Sequence, residues 1–369
     1  MFPALKLLVV AAFASTLACT ANTRPNASYA FGLWGDMPYA RNGDGAKDGD
    51  KMRGVIASMN SENLAFTVFD GDTKDGSSVC TDLTIGQEVR ELFNQLKAPA
   101  IYVPGDNEWT DCHRRSNGGY NALERLDYLR KTLFANGVSF GQTPMPLQQQ
   151  NQYPENVRWQ KPGVVFVGLN VPGSNNNKVA DDRCLNALST RTRADCAADN
   201  AEYQARDAAN IAYLHESFSI AKQQQAAGLV LVMQADPGFE LSVTDHAADR
   251  KASGFDGYDA MLTALISEIQ AFKGQVLVVH GDTHTYTLDK PFAHLSNFTR
   301  LETFGSPTLN WVKVSVDTRT PDVFKIQPMT VEGTGLLSSG HAPVPVPNPL
   351  APRTRIQSGT DHPGMFHSQ

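Results

Sequence analysis

Four apolar runs in this chain end in the same dipeptide. Residues 29–34 lead into Gly35-Asp36, residues 64–69 into Asp70-Gly71-Asp72, residues 99–104 into Gly105-Asp106, and residues 275–279 into His280-Gly281-Asp282. Helical spacing separates them: Met52, Val55, Ile56 and Met59; Val89, Leu92, Phe93 and Leu96; Leu126, Leu129, Leu133 and Phe134; Met261, Leu262, Leu265 and Ile269. Apolar runs that end in glycine and alternate with amphipathic helices predict βαβ units around a buried, largely parallel sheet. In such a sheet the residues just past the C-terminal strand ends collect in one crevice. Glycine turns the chain out of the strand, and the aspartate that follows projects into that crevice. Four carboxylates gathered there repel one another unless a cation neutralises them.

The rest of the chain bounds this reading. The 369 residues suffice for one large core, and 41% of them are hydrophobic. The 32 basic residues are outnumbered by 38 acidic ones and form no basic run. A dedicated nucleic-acid-binding protein is thereby excluded, because nothing would neutralise a phosphate backbone. At the N-terminus, Lys6 precedes a dozen mostly apolar residues, 7–18, too short a run to span a bilayer. It reads as an export signal covering residues 1–21, or as a lipoprotein signal ending before Cys19. Membrane association is then expected only through a lipid anchor at Cys19, and the protein is expected to be exported, periplasmic or secreted. Residues 29–332 are read as one folded unit. The stretch 333–369, with Pro343, Pro345, Pro347, Pro349 and Pro352, is read as a disordered tail.

Four cysteines lie beyond the signal, and an even number in an exported chain suggests two disulfides with three possible connectivities. Cys184 and Cys196 would close a short loop. Cys80 follows Asp72 and Cys112 follows Asp106 by a few residues, so both leave the sheet over the same crevice. We therefore expect the pairs Cys80–Cys112 and Cys184–Cys196. The middle of the chain reads as a strand over 164–169, a polar excursion over 170–193, a helix from about residue 202 to 225, and a strand over 228–233. From residue 301 the pattern changes to partly alternating runs, as in antiparallel strands.

The motifs Asp36-Met37-Pro38, Gly71-Asp72-Thr73-Lys74-Asp75, Gly105-Asp106-Asn107-Glu108, Met233-Gln234-Ala235-Asp236 and Gly281-Asp282-Thr283-His284 occur in that order. In order and spacing, over residues 29–316, the chain resembles the calcineurin-like metallophosphoesterase superfamily. That family's motifs run D-x-H, G-D-x-x-D, G-N-H-[DE], a single His, and G-H-x-H. The resemblance implies a four-layer α-β-β-α sandwich of two mixed sheets, and a two-metal hydrolase of phosphate esters. The departures are specific. Pro38 stands where the first-motif histidine would be, Asp106 at the asparagine position and Asn107 at the catalytic histidine. Gln234 or Ala235 replaces the lone histidine, and Asp282 the first histidine of the last motif.

By that resemblance the expected metal ligands are Asp36, Asp72, Asp106, Gln234, Asp282 and His284, with Asp72 bridging two ions. An oxygen-rich set of this kind suits Mg²⁺, Mn²⁺ or Ca²⁺ better than Zn²⁺. Asn107 takes the catalytic histidine's position, and His113 and His280 are the nearby imidazoles that would serve as general acid. Arg114 and Arg115 are expected to bind phosphate oxygens, Trp109 to line the pocket mouth, and Lys74 to face solvent. The expected function is that of an exported phosphoesterase in which metal-activated water attacks a phosphate mono- or diester. The alternative is a degenerate domain of the same fold acting as a non-catalytic binding module.

Overall fold

The computed structural model describes residues 26–39, 45–180, 184–241 and 247–331. The signal, the Cys19 anchor and the proline-rich tail lie outside the described residues. Twelve strands are present among those described. They are β1 (Ser28–Trp34), β2 (Thr67–Phe69), β3 (Ala100–Tyr102), β4 (Gln148–Gln150), β5 (Tyr153–Lys161) and β6 (Val164–Gly168), followed by β7 (Gly228–Val232), β8 (Gln275–His280), β9 (Thr287–Asp289), β10 (Phe298–Glu302), β11 (Trp311–Asp317) and β12 (Phe324–Met329).

They form two mixed sheets. The first runs β12-β11-β1-β2-β3, with β1, β2 and β3 parallel and β11 and β12 antiparallel. The second runs β4-β5-β6-β7-β8-β10-β9, with β6, β7, β8 and β10 parallel. The antiparallel pattern expected from residue 301 onward holds for β11 and β12. The strand before them spans Phe298–Glu302 and is parallel to β8.

The alternation of side chains along each strand sorts the hydrophobic residues into three cores. Phe31, Leu33, Val68 and Ile101 of the first sheet meet Phe166, Val230, Leu277 and Val279 of the second in a central layer. On the outer face of the first sheet, Trp34, Phe69 and Tyr102 pack with Met52 and Val55 of helix Gly45–Ser61, Phe93 of helix Glu88–Phe93, and Leu126 and Leu129 of helix Ala122–Thr132. On the outer face of the second, Val165, Leu229, Leu231 and Val276 pack with Leu214 and Phe218 of helix Arg193–Gln223 and with Leu262 and Leu265 of helix Asp259–Ala271. Helices, sheet, sheet and helices make the four layers. The central strands β2, β6, β7 and β8 are apolar on both faces because each face has a core to fill, and burying one Leu or Phe side chain contributes about 1.5–3 kcal/mol. Among the described residues no helix is long and apolar enough to cross a membrane.

One boundary differs from expectation in a way that matters for the crevice. The helix expected from about residue 202 starts at Arg193, because Thr192 and Asp195 form a reciprocal capping box at its N-terminus. The polar excursion is thereby shortened. Its first part, Ser174 to Asn177, is a tight turn in which four consecutive residues have φ between 51° and 59°. Such a run is costly for L-residues, though asparagine tolerates it better than most. It is held from outside: buried Arg206 donates to the Asn176 side-chain oxygen at 2.6 Å and to the Asn176 carbonyl at 2.8 Å.

Candidate metal centre

The parallel strands of both sheets point their C-terminal ends at one crevice. β1 delivers Asp36, β2 Asp72, β3 Asp106 and Asn107, β7 Gln234, and β8 Asp282 and His284. Asp36, Asp72, Asp282 and His284 all have φ between 50° and 80°, as the chain turns sharply out of each strand. The neighbouring glycines are required by close approach. A Cβ at Gly105 would collide with Asp72 Oδ1, one at Gly281 with Asp36 Oδ2, and one at Gly35 with Asp70 Oδ1. Three of the four Gly-Asp pairs therefore supply both a carboxylate and the clearance for a carboxylate from another strand, while Gly71 clears the side chain of Gln234.

Asp72, Asp106 and Asp282 each present a carboxylate oxygen, and these oxygens lie within 4.8 Å of one another. Asp72 is the most enclosed. Its Oδ1 accepts from the Asn107 backbone N–H at 3.1 Å, and its Oδ2 from Asn107 Nδ2 at 2.8 Å, Gln234 Nε2 at 3.2 Å and the Tyr39 hydroxyl at 3.4 Å. Asp106 accepts from the Ser174 hydroxyl at 2.7 Å. Asp282 accepts from Gln234 Nε2 at 3.1 Å and from the Asp236 backbone N–H at 3.4 Å.

Burial, reinforced by the neighbouring carboxylates, pushes Asp72 and Asp282 well above the ordinary carboxylate range. Burial, with the Asp111 charge next in importance, raises Asp106 to about 7. Carboxylates that resist ionisation because they are buried, and next because they face other carboxylates, are what a divalent cation would relieve. The donor set fits a hard cation, being almost wholly oxygen. Space is available as well: a Cβ at Gly173 would lie 2.7 Å from Asp282 Oδ1 and 2.8 Å from Asp106 Oδ2, so this glycine leaves a cradle between the two carboxylates.

Asp36 and His284 form a second group beside the first. The two are 3.4 Å apart through Asp36 Oδ1 and His284 Nε2, and His284 Nδ1 donates to the Ser306 carbonyl at 2.8 Å. Arg114 stands at the rim, with its side chain 38% exposed, paired with Asp111 at 2.6 Å and felt by Asp106, Asp72 and Asp282. Asn107 is also in place, fixed to Asp72 by two hydrogen bonds.

Other expected residues lie elsewhere or face another way. Gln234 reaches the cluster as a donor, because its Oε1 is taken by the Gly173 N–H while Nε2 faces Asp72 and Asp282. His113 is committed: Arg191 donates to Nε2 at 2.8 Å, so Nδ1 carries the proton that meets Ser189 Oγ at 2.9 Å. Burial first, and Arg191 next, lower its pKa to about 4, so His113 is a neutral strut in its loop and is not placed as a general acid. His280 is fully buried in the sheet end, with its ring against Phe239 and Nδ1 at the Gly281 carbonyl, and it is not placed as one either. Trp109 is a core residue with no exposure, its ring under Arg206, and does not line a pocket mouth. Arg115 turns away and donates to the Ala187 carbonyl at 3.1 Å. Lys74, expected in solvent, is buried, its ammonium in the field of Glu108, Asp72 and Asp111.

Four contributors were missed. Glu108 accepts from the backbone N–H groups of Asp72 at 3.3 Å and Gly105 at 2.9 Å and from the Thr73 hydroxyl at 2.7 Å, tying the loop after β2 to the loop after β3. Its place in Gly105-Asp106-Asn107-Glu108 was the available signal. Lys74 sits inside the second motif. Tyr39 and Ser174 carry no motif signal, and only the fold brings them in.

The cysteines pair as Cys80–Cys112 and Cys184–Cys196, with Cα separations of 5.7 and 6.0 Å. The sulfurs of Cys80 and Cys112 lie 3.5 and 3.6 Å from the Asn107 carbonyl oxygen. The first bridge therefore backs the residue that clamps Asp72. Replacing both cysteines (Cys80→Ser/Cys112→Ser) is expected to cost about 2–4 kcal/mol of stability. Activity should fall further than metal content, since Arg114 and Asn107 ride on the freed loop while the aspartates sit at strand ends. Denaturant unfolding and elemental analysis of the double variant check this, and unimpaired turnover would remove the bridge from the site.

No protein-family model matches the chain, and no curated protein does. Among solved structures it aligns with the GAP50 anchor of the inner membrane complex of Plasmodium at 12% identity, over 83% of this chain and 89% of that one, with a TM-score of 0.42. It aligns with a 5'-nucleotidase from Candida albicans at 12% identity, over 83% of this chain and 53% of that one, with a TM-score of 0.36. It aligns with the sulfate thiohydrolase SoxB of Thermus thermophilus at 14% identity, over 76% of this chain and 41% of that one, with a TM-score of 0.39. The chain thus spans about half the length of the nucleotidase and less of SoxB. At these scores the likenesses assign no residue a role.

Proposed function

We propose that this chain is a metal-dependent hydrolase of phosphate esters, with its centre at Asp72, Asp106 and Asp282. The observation that carries the reading is the convergence of these three carboxylates, from three strand ends, beside the guanidinium of Arg114. The motif order that resembles the calcineurin-like metallophosphoesterases supports it from the sequence side. The two disulfides fit an oxidising compartment and so an exported protein.

Asp72, Asp106 and Asp282 would hold the cation, which when bound supplies positive charge for the phosphoryl oxygens. Arg114, partly exposed at the rim and held by Asp111, offers guanidinium N–H donors and positive charge to the same oxygens. Asn107 and Gln234 orient Asp72 through its oxygens. Glu108 and the Cys80–Cys112 bridge hold the two loops in register. Gly173 and Ser174 close over Asp106 next to Arg114, whose guanidinium lies 3.5 Å from Ser174 Oγ.

The burial of Asp72 and Asp106 under that turn favours a second reading, in which the same centre holds an ion for structure in a binding module. Hydrolysis of chromogenic phosphate mono- and diesters with Mg²⁺, Mn²⁺, Ca²⁺ or Zn²⁺ separates the two. Turnover with Mg²⁺ or Mn²⁺ that falls about a hundredfold in Arg114→Ala, at unchanged metal content, is expected for the hydrolase. Cation binding without turnover on any ester would leave the binding module.

A further inference from the structure

The two halves of the crevice are built differently, and the difference bears on how many ions it takes. Asp36 is fully buried and already has protein donors on both oxygens. The Tyr39 hydroxyl lies 3.3 Å and His284 Nε2 3.4 Å from Oδ1, and the Asp282 backbone N–H donates to Oδ2 at 3.1 Å. Tyr39 packs edge-on against the His284 ring at 5.1 Å, so donor and ring support each other. Pro38 brings no ligand where a first-motif histidine would bring one. The other half is the reverse. There three carboxylates face one another within 4.8 Å, and Gly173 leaves a cradle beside two of them.

We infer that the crevice holds a single divalent cation, at Asp72, Asp106 and Asp282, and that the Tyr39 hydroxyl, between the carboxylates of Asp36 and Asp72, stands in place of a second ion. The inference rests on the metal-dependent reading of the same site and departs from the two ions that the sequence resemblance implies. Its physical content is charge and donor accounting. A second ion at Asp36 would have to displace the tyrosine hydroxyl, and besides Asp36 it would find the unprotonated Nε2 of His284 and no ligand from Pro38. The ammonium of Lys74 and the guanidinium of Arg114 lie in the field of the Asp72 side of the crevice, so part of the remaining negative charge is met by the chain itself.

The test is a count. The full chain is stripped with chelator and titrated with Mn²⁺ near pH 8, followed by calorimetry and by the electron paramagnetic resonance of the bound ion. One Mn²⁺ per chain with a mononuclear spectrum is expected. Asp106→Asn and Asp282→Asn should weaken that binding at least about tenfold, and Asp36→Asn should leave the count at one. Two ions per chain with an exchange-coupled spectrum, reduced to one in Asp36→Asn, would overturn the inference and leave the metal-dependent reading standing. No bound Mn²⁺ would overturn both. The wild-type count decides even where Asp36→Asn fails to fold.

Discussion

Asp72→Asn should leave a folded protein that neither binds the cation nor turns over. All four described contacts to the Asp72 carboxylate come from donors: Asn107 N–H, Asn107 Nδ2, Gln234 Nε2 and the Tyr39 hydroxyl. An asparagine there must aim its NH₂ at one of these donors whichever way it flips. It also removes one of the three charges that a divalent ion would bind. Cation affinity is expected to fall at least about a hundredfold. Activity should fall about a thousandfold or more, since a metal's charge stabilisation amounts to several kcal/mol and each 1.4 kcal/mol is tenfold. The fold should survive, because the carboxylate is already pushed well above its ordinary range by burial. Replacing it with a neutral amide relieves that burden and offsets the lost hydrogen bond. Calorimetric titration, thermal unfolding and ester hydrolysis on the same preparation check this. A variant with full cation binding and wild-type turnover would remove Asp72 from the centre.

The layers and the location of the crevice were legible because they depend on patterns that the sequence carries locally. Continuous apolar runs such as 228–232 announce strands covered on both faces, and each Gly-Asp marks a strand end. Local geometry then limits which residues can reach the centre, and so Asp36, Asp72, Asp106 and Asp282 were found, while His284 came from the likeness of Gly281-Asp282-Thr283-His284 to the family's last motif. What stayed hidden depends on tertiary placement. His113 lies as close in sequence to the third motif as Arg114 does, yet Arg191, from the far side of the polar excursion, captures its ring. Lys74 lies within a strand-end loop, where a charged residue reads as solvated, but Glu108 folds that loop inward. Strand β5 was missed because its buried residues include Glu155, Asn156 and Arg158, which look like loop chemistry until their partners are known. Arg130 meets Glu155 at 2.9 Å, and Glu216 meets Arg158 at 3.0 Å.

Without a bound cation, the protein should lose stability as pH rises from about 6 to 8.5, and a divalent cation should restore it most at the alkaline end. Asp72, Asp282 and Asp70 are held well above the ordinary carboxylate range, chiefly by burial. Burial also raises Asp106 to about 7 and Glu302 to about 7. A group with its folded pKa above its unfolded value contributes stability that is present below the unfolded value, near 4, and lost as pH rises through the folded one. For Asp106 and Glu302 that loss is complete only above about pH 7, and for the others it extends further. His113 acts in the opposite sense: its folded pKa is lowered to about 4, so its contribution is lost on acidification through about 6.5 to 4. The two effects oppose each other below about pH 6.5, and above it His113 no longer contributes, so the measurement belongs there. At 1.4 kcal/mol per pKa unit, Asp106 alone accounts for an effect on the order of 4 kcal/mol between its limits. The thermal midpoint of the cation-free protein should therefore fall by several degrees between about pH 6 and 8.5. A cation at a hundred times its dissociation constant adds about 2.7 kcal/mol. Because protons and cation compete for the same oxygens, the increment from a fixed Mg²⁺ or Ca²⁺ concentration should be larger at about pH 8.5 than at pH 6. A cation-free midpoint that is flat or rises over this range, or a cation increment independent of pH, would mean that the buried carboxylates do not face one another as charges in need of an ion.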